Sequence, residues 1–384
     1  MTERHFDFDT PIDRRDTTSM KWEKYSKPDV IPMWVADMDF ACAPAIVEAL
    51  HRRVDHGIFG YTQPPQELVR ETVANLEREY GWQIDPDWIV WLPGLVVGLN
   101  VVARAFGEPG DDVITATPIY PPFLSAPVNG ARNVVRVPML HEGSRWTWDM
   151  EALERSITPR SRLLLLCNPH NPVGRVFDRR ELTAIAEVCR RHDLVLVSDE
   201  IHAGLILDRD KRHVPIASMD HDIAQRTVTL MSASKTFNLP SLGCAYAIAA
   251  NPALRDRLKK VMAGIVHHIG LMGYIATLAA YRDGKSWQLA LLDYLRGNRD
   301  RVEQAVGAIS SLKITHAEAT YLSWIDARAL AIPDVTTILE RAGVGVYDGA
   351  LFDAPGFIRV NFACPRSVLD LALERMMGAL GRLK

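Results

Sequence analysis

One lysine lies where a solvated charge is not expected. Lys235 belongs to the segment Ser232-Ala233-Ser234-Lys235, which directly follows the apolar run at 228–231. An amine that loses its solvation becomes a nucleophile and can form a Schiff base with an aldehyde. A short loop rich in serine and lysine is usually only a loop, so this segment alone does not identify a catalytic residue.

Two further polar residues also follow apolar runs. Asn171 comes after residues 162–167, and Asp199 comes after residues 194–198. Apart from Arg162 at the start of the first run and Ser198 at the end of the second, both runs are continuously apolar rather than alternating, which is typical of strands covered on both faces in a parallel sheet. Ligands of such sheets bind at the carboxyl ends of the strands. We therefore expect Asn171, Asp199 and Lys235 to lie at one edge of one sheet.

A glycine turn and an aromatic residue add to this group. Gly94 leads into a helix that begins near Leu95 and Val96, and the free backbone N–H groups of such a turn can bind a phosphate. Judged alone, an ordinary strand-to-helix turn is the commoner explanation. Tyr120 follows the strand-like residues 112–116, where its ring would stack on a planar ligand or simply pack.

The elements around these residues predict an α/β fold. Strand-like and helical segments alternate through residues 85–250, which favours a mainly parallel central sheet covered by helices. From Lys313 onward, strand-like segments at 313–315, 322–325 and 357–362 accompany helices at 335–342 and 366–383. We predict a large domain over 46–285 and a smaller α+β domain formed by 1–45 and 286–384. Further predicted helices cover 45–54, 66–80, 178–191, 254–265, 270–282 and 287–312.

Composition excludes several classes of protein. The 384 residues carry a net charge of -3, which gives no basic surface for nucleic acid. Five cysteines without CxxC spacing argue against a zinc ribbon or a disulfide scaffold. We find no membrane-spanning run, no signal segment and no metal-ligand pattern, and His267-His268 is better explained as a surface pair. A cytoplasmic location is the resulting expectation.

The polar residues suit one cofactor, pyridoxal 5'-phosphate (PLP). The lysine binds its aldehyde, and a buried carboxylate keeps its ring nitrogen protonated so that the ring can act as an electron sink. An amide stabilises the phenolic oxygen, a helix N-terminus binds the phosphate, and an aromatic ring stacks on the pyridine.

At this point the chain resembles a known family. It is similar to the PLP-dependent enzymes of fold type I in the aminotransferase class I/II superfamily, with an aspartate-aminotransferase-like fold. Within them it resembles the MalY/PatB group of cystathionine β-lyase-like C–S lyases. The matching segments span nearly the whole chain in the family's order; they are residues 32–40, 168–174, 198–202, 232–238, 319–324 and 357–361.

The resemblance implies a role for each candidate residue. Lys235 would be the Schiff-base lysine and the base at the substrate Cα. Arg359 would bind the α-carboxylate of an amino-acid substrate, with help from the backbone at Ala36 and from Tyr120. Tyr61 would reach the phosphate of a neighbouring subunit, which implies a homodimer. The remaining cofactor contacts would come from Leu95, Val96, Tyr120, Asn171, Asp199, His202, Ser232 and Ser234.

Four departures from the general aminotransferase pattern bear on the reaction. Gly243 stands where an arginine often binds the phosphate, and His202 stands where a tyrosine is common. Both departures match the MalY/PatB pattern. Leu95 and Val96 lack the hydroxyl groups that are frequent at the phosphate turn. Tyr347-Asp348-Gly349-Ala350 replaces an expected Pro-Gly, which bears on substrate preference.

The expected function is α,β-elimination of cystathionine or another cysteine S-conjugate. The alternative is transamination, which shares the early steps. A non-catalytic role is a further rival, since some relatives of this group also bind a transcription activator. A dinucleotide-dependent dehydrogenase is disfavoured because Gly343-Val344-Gly345 lacks the third spaced glycine and opens no evident βαβ unit.

Overall fold

A computed structural model describes residues 6–25, 27, 29–143 and 145–381 of the chain. The first five residues of the predicted N-terminal arm and Leu383, the predicted end of the last helix, lie outside this part. The described strands are β1 (Ile31–Pro32), β2 (Ile89–Leu92), β3 (Asp112–Thr117), β4 (Asn133–Pro138), β5 (Leu140–Glu142), β6 (Arg145–Thr147), β7 (Ser161–Cys167), β8 (Val195–Asp199), β9 (Thr227–Met231), β10 (Ala245–Ile248), β11 (Lys313–Thr315), β12 (Leu322–Asp326), β13 (Val344–Gly345), β14 (Tyr347–Asp348) and β15 (Phe357–Asn361).

Helices occupy much of the remaining chain. The described α-helices are α1 (Pro44–His56), α2 (Gln66–Tyr80), α3 (Leu95–Ala105), α4 (Pro122–Asn129), α5 (Met150–Ser156), α6 (Arg179–Arg191), α7 (His221–Arg226), α8 (Pro252–Met262), α9 (Leu271–Asp283), α10 (Lys285–Gly307), α11 (Val335–Arg341) and α12 (Arg366–Leu380). Short 3₁₀ turns lie at Pro86–Trp88, Ile216–Ser218, Pro240–Leu242, Arg328–Leu330 and Gly349–Phe352.

A seven-stranded sheet forms the centre, in the order β2-β10-β9-β8-β7-β3-β4. The pairs from β9 through β8, β7 and β3 to β4 are parallel, and β10 runs antiparallel to both of its neighbours. This mainly parallel sheet confirms the predicted α/β fold. It also places the carboxyl ends of β2, β3, β7, β8 and β9 along one edge.

Strand β7 shows why its leucine run forms a buried strand. Leu163 and Leu165 contribute to the core that contains α3 and α8, whereas Leu164 and Leu166 contribute to the opposite core with α6. Successive side chains of a strand point to opposite faces, so helices on both faces need an apolar residue at every position. None of the four leucines has measurable exposure.

The C-terminal part forms a separate antiparallel sheet, in the order β11-β12-β15-β14. Its Trp324 and Phe357 rings stack with centroids 5.1 Å apart. Strand β1 from the N-terminal arm pairs in parallel with β13, so the arm contacts the C-terminal part of the chain. This contact agrees with the predicted grouping of the two chain ends, while the domain bounds themselves stay a prediction.

Several elements differ from the expectations. Helix α10 begins two residues before the predicted segment and ends at Gly307, five residues before its predicted end. Helix α4 was not predicted, and it begins at Pro122, which is tolerated in the first turn because no backbone N–H is needed there. Strand β10 and the β5–β6 hairpin were not predicted. Among the described residues, no helix is long and apolar enough to cross a membrane.

Candidate active site

A cavity of about 350 Å³ lies at the carboxyl edge of the central sheet. All of the predicted site residues line it except Tyr61. The predicted residues at the cavity are Ala36, Leu95, Val96, Tyr120, Asn171, Asp199, His202, Ser232, Ser234, Lys235 and Arg359. The fold thus brings together residues that are up to 323 positions apart in the sequence, from Ala36 to Arg359. Among the described residues, no group of three or more His, Cys, Asp or Glu side chains could hold a metal ion.

Lys235 follows β9 and reaches a backbone acceptor from the N-terminal arm. Its Nζ donates a hydrogen bond to the carbonyl oxygen of Ala36. Burial and, to a lesser degree, the nearby Arg359 cation lower the pKa of this ammonium from 10.5 to about 8. A substantial fraction of the amine is therefore neutral near physiological pH, which is the form that attacks an aldehyde.

Asp199 is the last residue of β8 and is only 4% exposed. Its Oδ1 accepts one hydrogen bond, from the Ile201 backbone N–H at 3.1 Å. It has no ion-pair partner among the described residues. Burial therefore raises the pKa of this carboxyl from 3.8 to about 7. A buried carboxylate that lacks a cationic partner suits a ligand with a protonated ring nitrogen.

Arg359 lies on β15 and is 1% exposed. Its Nη1 donates to Asn171 Oδ1 at 3.0 Å, and its Nη2 donates to the Trp34 carbonyl oxygen at 2.9 Å. The Nε atom has no partner, and no carboxylate of the described residues pairs with the guanidinium. Burial lowers its pKa to about 10. A buried cation without an anion is a site for an anionic ligand group, and the planar fork suits a carboxylate.

The segment around Ala36 is held by side chains from distant parts of the chain. The Ala36 carbonyl also accepts from the Tyr321 hydroxyl at 3.0 Å. Asn361 Nδ2 donates to the Val35 and Asp37 carbonyls, both at 2.6 Å. The carbonyl that accepts from Lys235 is thus held in place by Tyr321 and Asn361, for which no role was predicted. Tyr321 and Asn361 lie in the segments at 319–324 and 357–361 that resemble the family. That resemblance was the sequence feature that could have identified them.

A buried ion-pair cluster supports the same segment from the arm. Lys21, 1% exposed, donates to Asp39 Oδ2 at 2.8 Å. Asp39 also accepts from Trp22 Nε1 at 2.9 Å and from Arg14 Nη1 at 2.7 Å. Burial alone would raise the pKa of Asp39, but the Lys21 ammonium and these donors bring it below its usual value. No sequence pattern indicated this cluster.

Asn238 fixes the other end of the segment. Its Oδ1 accepts from the Met38 N–H at 3.0 Å, and its Nδ2 donates to the Met38 and Phe40 carbonyls. The residue adopts a left-handed backbone, with φ of 57°, a conformation that asparagine tolerates better than most residues. It ties the loop of Lys235 to the segment that Lys235 contacts.

The glycine turn at Gly94 begins α3 without a side-chain cap and without an acidic residue in the first turn. The first backbone N–H groups of this helix have no intrahelical partner, so they remain available to a phosphate. Ser232 Oγ donates to the Cys244 carbonyl at 2.7 Å and accepts from the Ser234 N–H. The Ser234 hydroxyl has no hydrogen-bond partner among the described residues, which makes it the freer phosphate donor of the two.

Gly243 cannot carry the phosphate arginine in this backbone. Its φ is +53°, and a Cβ added there would lie 2.9 Å from the Pro93 carbonyl oxygen. Any side chain at position 243 would therefore be strained in this backbone and would lie too close to the Pro93 carbonyl. The donors that remain near this turn are the backbone N–H groups at Leu95 and Val96 and the Ser234 hydroxyl, and their role in binding a phosphate stays a prediction.

His202 and Tyr120 both line the cavity, and both are uncharged. Burial, with the Lys235 and Arg359 cations adding to it, lowers the pKa of His202 to about 3, so the ring is neutral. Its Nδ1 is buried without a partner. Burial raises the pKa of Tyr120, which is therefore a neutral phenol. Neither ring adds charge to the space between Lys235 and Arg359.

Tyr61 lies away from the cavity. Its side chain is fully exposed, in a loop where Ile58 and Phe59 are also exposed, at 64% and 59%. Within one chain it therefore makes no part of the site, and its predicted role in a neighbouring subunit stays a prediction.

The residues present fit PLP. The cavity offers an amine with a lowered pKa, a buried carboxylate that lacks a cation, and a helix N-terminus free of acidic side chains. The Asn171 Nδ2 donor has no partner among the described residues and could serve the phenolic oxygen. PLP has a group that matches each of these features: an aldehyde for the amine, a ring nitrogen for the carboxylate and a phosphate for the helix N-terminus.

Comparison with known proteins points to the same family. Cystathionine beta-lyase PatB of Bacillus subtilis is 35% identical, over 97% of this chain and 99% of the relative. The solved structure of OvoB is 43% identical, covers 98% of this chain and 99% of that one, and has a TM-score of 0.95. Cystalysin from Treponema denticola, which contains a pyridoxal 5'-phosphate cofactor, is 34% identical over 99% of this chain and all of that one, with a TM-score of 0.94. A sequence model of the family described as Aminotransferase class I and II matches residues 28–376. The chain belongs to this aminotransferase class I and II family.

Proposed function

We propose that this protein is a PLP-dependent C–S β-lyase. It converts cystathionine or another cysteine S-conjugate, with one water molecule, into pyruvate, ammonia and a thiol, which is homocysteine in the case of cystathionine. The observation that carries the proposal is the buried Arg359 guanidinium, which lacks an anion and shares one cavity with Lys235. The similarity to PatB supports the choice of a lyase within the family.

Bound PLP supplies an aldehyde for the amines of enzyme and substrate and a ring that withdraws electrons from the substrate Cα. Lys235 would hold the cofactor through its Nζ in the resting enzyme, and the same amine, once free, would remove the Cα proton of the substrate. Asp199 keeps a proton on the ring nitrogen. Arg359 binds the α-carboxylate and fixes the Cα near Lys235. The Cβ–S bond then breaks, and the thiol leaves.

The other predicted site residues complete the cofactor site in this proposal. Leu95 and Val96 bind the phosphate through their backbone N–H groups, and Ser232 and Ser234 do so through their hydroxyls. Asn171 donates to the phenolic oxygen, while Tyr120 and His202 contact the ring. The Ala36 carbonyl orients the Lys235 amine, as its hydrogen bond to Nζ supports.

We further propose a homodimer in which Tyr61 reaches the phosphate of the neighbouring site. Support comes from the full exposure of Tyr61 and from the exposed Ile58 and Phe59 beside it. Val96 at the phosphate turn is also 45% exposed. A partner that covers these apolar side chains would bring a phenolic hydroxyl to a turn without hydroxyl residues. A cytoplasmic location is part of the proposal, supported by five cysteines that are all free.

The test is the release of pyruvate and thiol from cystathionine and from simpler S-substituted cysteines by the purified holoenzyme. Lys235→Ala is the matched inactive variant, and it should show no release above background. Pyridoxamine phosphate that accumulates with an amino acid alone would instead show transamination. Absence of pyruvate across the substrate panel, with bound cofactor present, would refute the proposed lyase.

A further inference from the structure

A second pocket, of about 420 Å³, is lined by the chain segment that follows His202. Its walls come from residues 203–213, from the end of α2 and from the first half of α10. It shares no lining residue with the active-site cavity, which is smaller, at about 350 Å³. The proposed lyase reaction gives this space no role.

Basic side chains predominate in the lining of this pocket. Both of its acidic residues already have cationic partners: Glu79 accepts from Lys285, and Asp208 accepts from Arg299 Nη1 at 2.6 Å. Asp293, outside the pocket, offers one oxygen to two guanidinium groups, at 2.7 and 2.6 Å. The lysine and arginine residues of the lining are Arg209, Lys211, Arg212, Lys285 and Arg296. The pocket therefore suits an anion.

Arg212 differs from the other basic residues of the lining. Those residues each lie within ion-pair distance of a carboxylate, whereas Arg212 has no carboxylate partner among the described residues. Its Nη1 donates to the Arg209 carbonyl at 2.9 Å and to the Lys211 carbonyl at 2.8 Å. Its Nε and Nη2 make no hydrogen bond to the described residues. These two N–H groups form one edge of the planar guanidinium, which is the arrangement that binds two oxygens of a phosphate.

The next residue, His213, adds a buried polar atom without a partner. His213 is 7% exposed and lines the same pocket. Its Nε2 lies 2.7 Å from Glu200 Oε2, and its Nδ1 makes no hydrogen bond within the described part of the chain. Buried polar atoms are normally satisfied, so this nitrogen points to a ligand group that the chain does not supply. A protonated imidazole donates from both nitrogens, and a nearby anion favours that form.

We propose that this pocket binds a small organic molecule that carries a phosphate group. Lys211, Arg212 and His213 are consecutive and offer three separate donor groups, which suit the three terminal oxygens of a phosphate better than the two of a carboxylate. The volume lies within the range of small-molecule sites and exceeds what a phosphate alone needs. Leu289, 53% exposed, and Leu292 also line the pocket, so an apolar part of the ligand has a surface to contact. This inference goes beyond the proposed lyase reaction and does not depend on it.

Isothermal titration calorimetry of the holoenzyme tests the site, at constant ionic strength and in a buffer free of phosphate. The probes are phenyl phosphate and inorganic phosphate, and phenyl phosphate should bind more tightly because its ring contacts the leucines. Arg212→Ala should raise the Kd of both probes about tenfold, the effect of losing a hydrogen bond to a charged group. Arg212→Lys keeps the charge without the fork and should recover part of this loss. Leu289→Ala should raise the Kd of phenyl phosphate about threefold and leave that of inorganic phosphate unchanged.

Arg180→Ala is the matched control. Arg180 is an exposed residue of α6 that lines neither pocket and has no carboxylate partner among the described residues, so this variant should bind both probes like wild type. Equal Kd values for Arg212→Ala and Arg180→Ala would overturn the proposal, as would a wild-type Kd above about 10 mM for both probes.

Two further measurements keep the result specific to this pocket. Cofactor absorbance should stay constant during each titration, since displacement of PLP would place the probe in the active site and overturn the proposal. Circular dichroism confirms that each variant is folded. The titrations contain no amino-acid substrate, so a failure to release pyruvate would bear on the lyase reaction alone.

Discussion

Because Asp199 is buried without a cationic partner, it should measurably lower the free energy of unfolding of the cofactor-free protein. The pKa of this carboxyl is raised from 3.8 to about 7. Between these values the folded protein holds a proton that the unfolded chain has lost. The free energy of unfolding therefore falls as pH rises, by about 1.4 kcal/mol per pH unit, and the loss is complete above the folded pKa.

Asp199→Asn removes this titration. Relative to wild type, the cofactor-free variant should gain about 3 kcal/mol of stability between about pH 5 and about pH 8.5, with nearly all of the gain below pH 7. An amide at this position has hydrogen-bonding needs of its own, but they do not vary with pH. The informative quantity is therefore how the difference in free energy of unfolding between variant and wild type changes with pH, rather than the size of that difference at any one pH. Urea denaturation at a series of pH values measures it.

Asp39→Asn is the matched control, because Asp39 is equally buried, at 5%, but faces Lys21 and Arg14. Its folded pKa is lowered, so its stabilising contribution is present above the unfolded pKa and is lost only as pH falls through the folded one. Over the same pH range the free energy of unfolding of this variant should be about 3–5 kcal/mol below that of wild type. This difference should not change with pH. A flat difference curve for Asp199→Asn, or one that slopes the other way, would refute the reasoning.

Three further predictions concern the loaded enzyme and its formation. Arg359→Lys keeps the charge but loses the planar fork, so kcat/KM for cystathionine should fall about 100-fold with cofactor absorbance retained; a loss below about threefold would contradict carboxylate binding. Because burial lowers the pKa of Lys235 to about 8, the rate of PLP uptake by the cofactor-free protein should rise with pH and level off above that value. A pH-independent rate would be inconsistent with this. Tyr61→Phe should raise the Kd for PLP about tenfold, measured by absorbance titration; an unchanged Kd would place Tyr61 outside the phosphate site.

The site's polar residues could be predicted because they obey local rules. Asn171 and Lys235 follow buried strands and Asp199 ends one, and parallel strands bring such ends together whatever their separation in sequence. The family resemblance then supplied Arg359 and Ala36, which lie outside that sheet. The positions of all five around one cavity agree with the prediction, while their individual roles await the experiments above.

The contacts that hold the site residues in place could not be predicted in the same way. Lys21 lies in the polar N-terminal arm and Asp39 in a mostly apolar segment, and neither segment has a helical or strand period, so no pattern marks their contact. Asn238 contacts Met38 from 200 positions away, and only the folded chain shows it. Strand β10 is short and alternates Ala245 and Ala247, which are depleted in strands, with Tyr246 and Ile248, which favour them, so its propensity signal was mixed. Its antiparallel direction depends on chain routing, which local sequence does not encode.

The contacts of β15 with the arm have a consequence for the order of biosynthesis. Arg359 and Asn361 hold carbonyls of Trp34 and Asp37, at separations of 325 and 324 positions. A ribosome releases residue 34 long before it makes residue 359, so the acceptor for Lys235 stays unfixed until almost the whole polypeptide has emerged. The central sheet can form earlier, because its last strand ends at Ile248. We therefore expect nascent chains that stop before β15 to adopt the α/β core but to capture the cofactor poorly, which makes cofactor uptake a late, post-translational event.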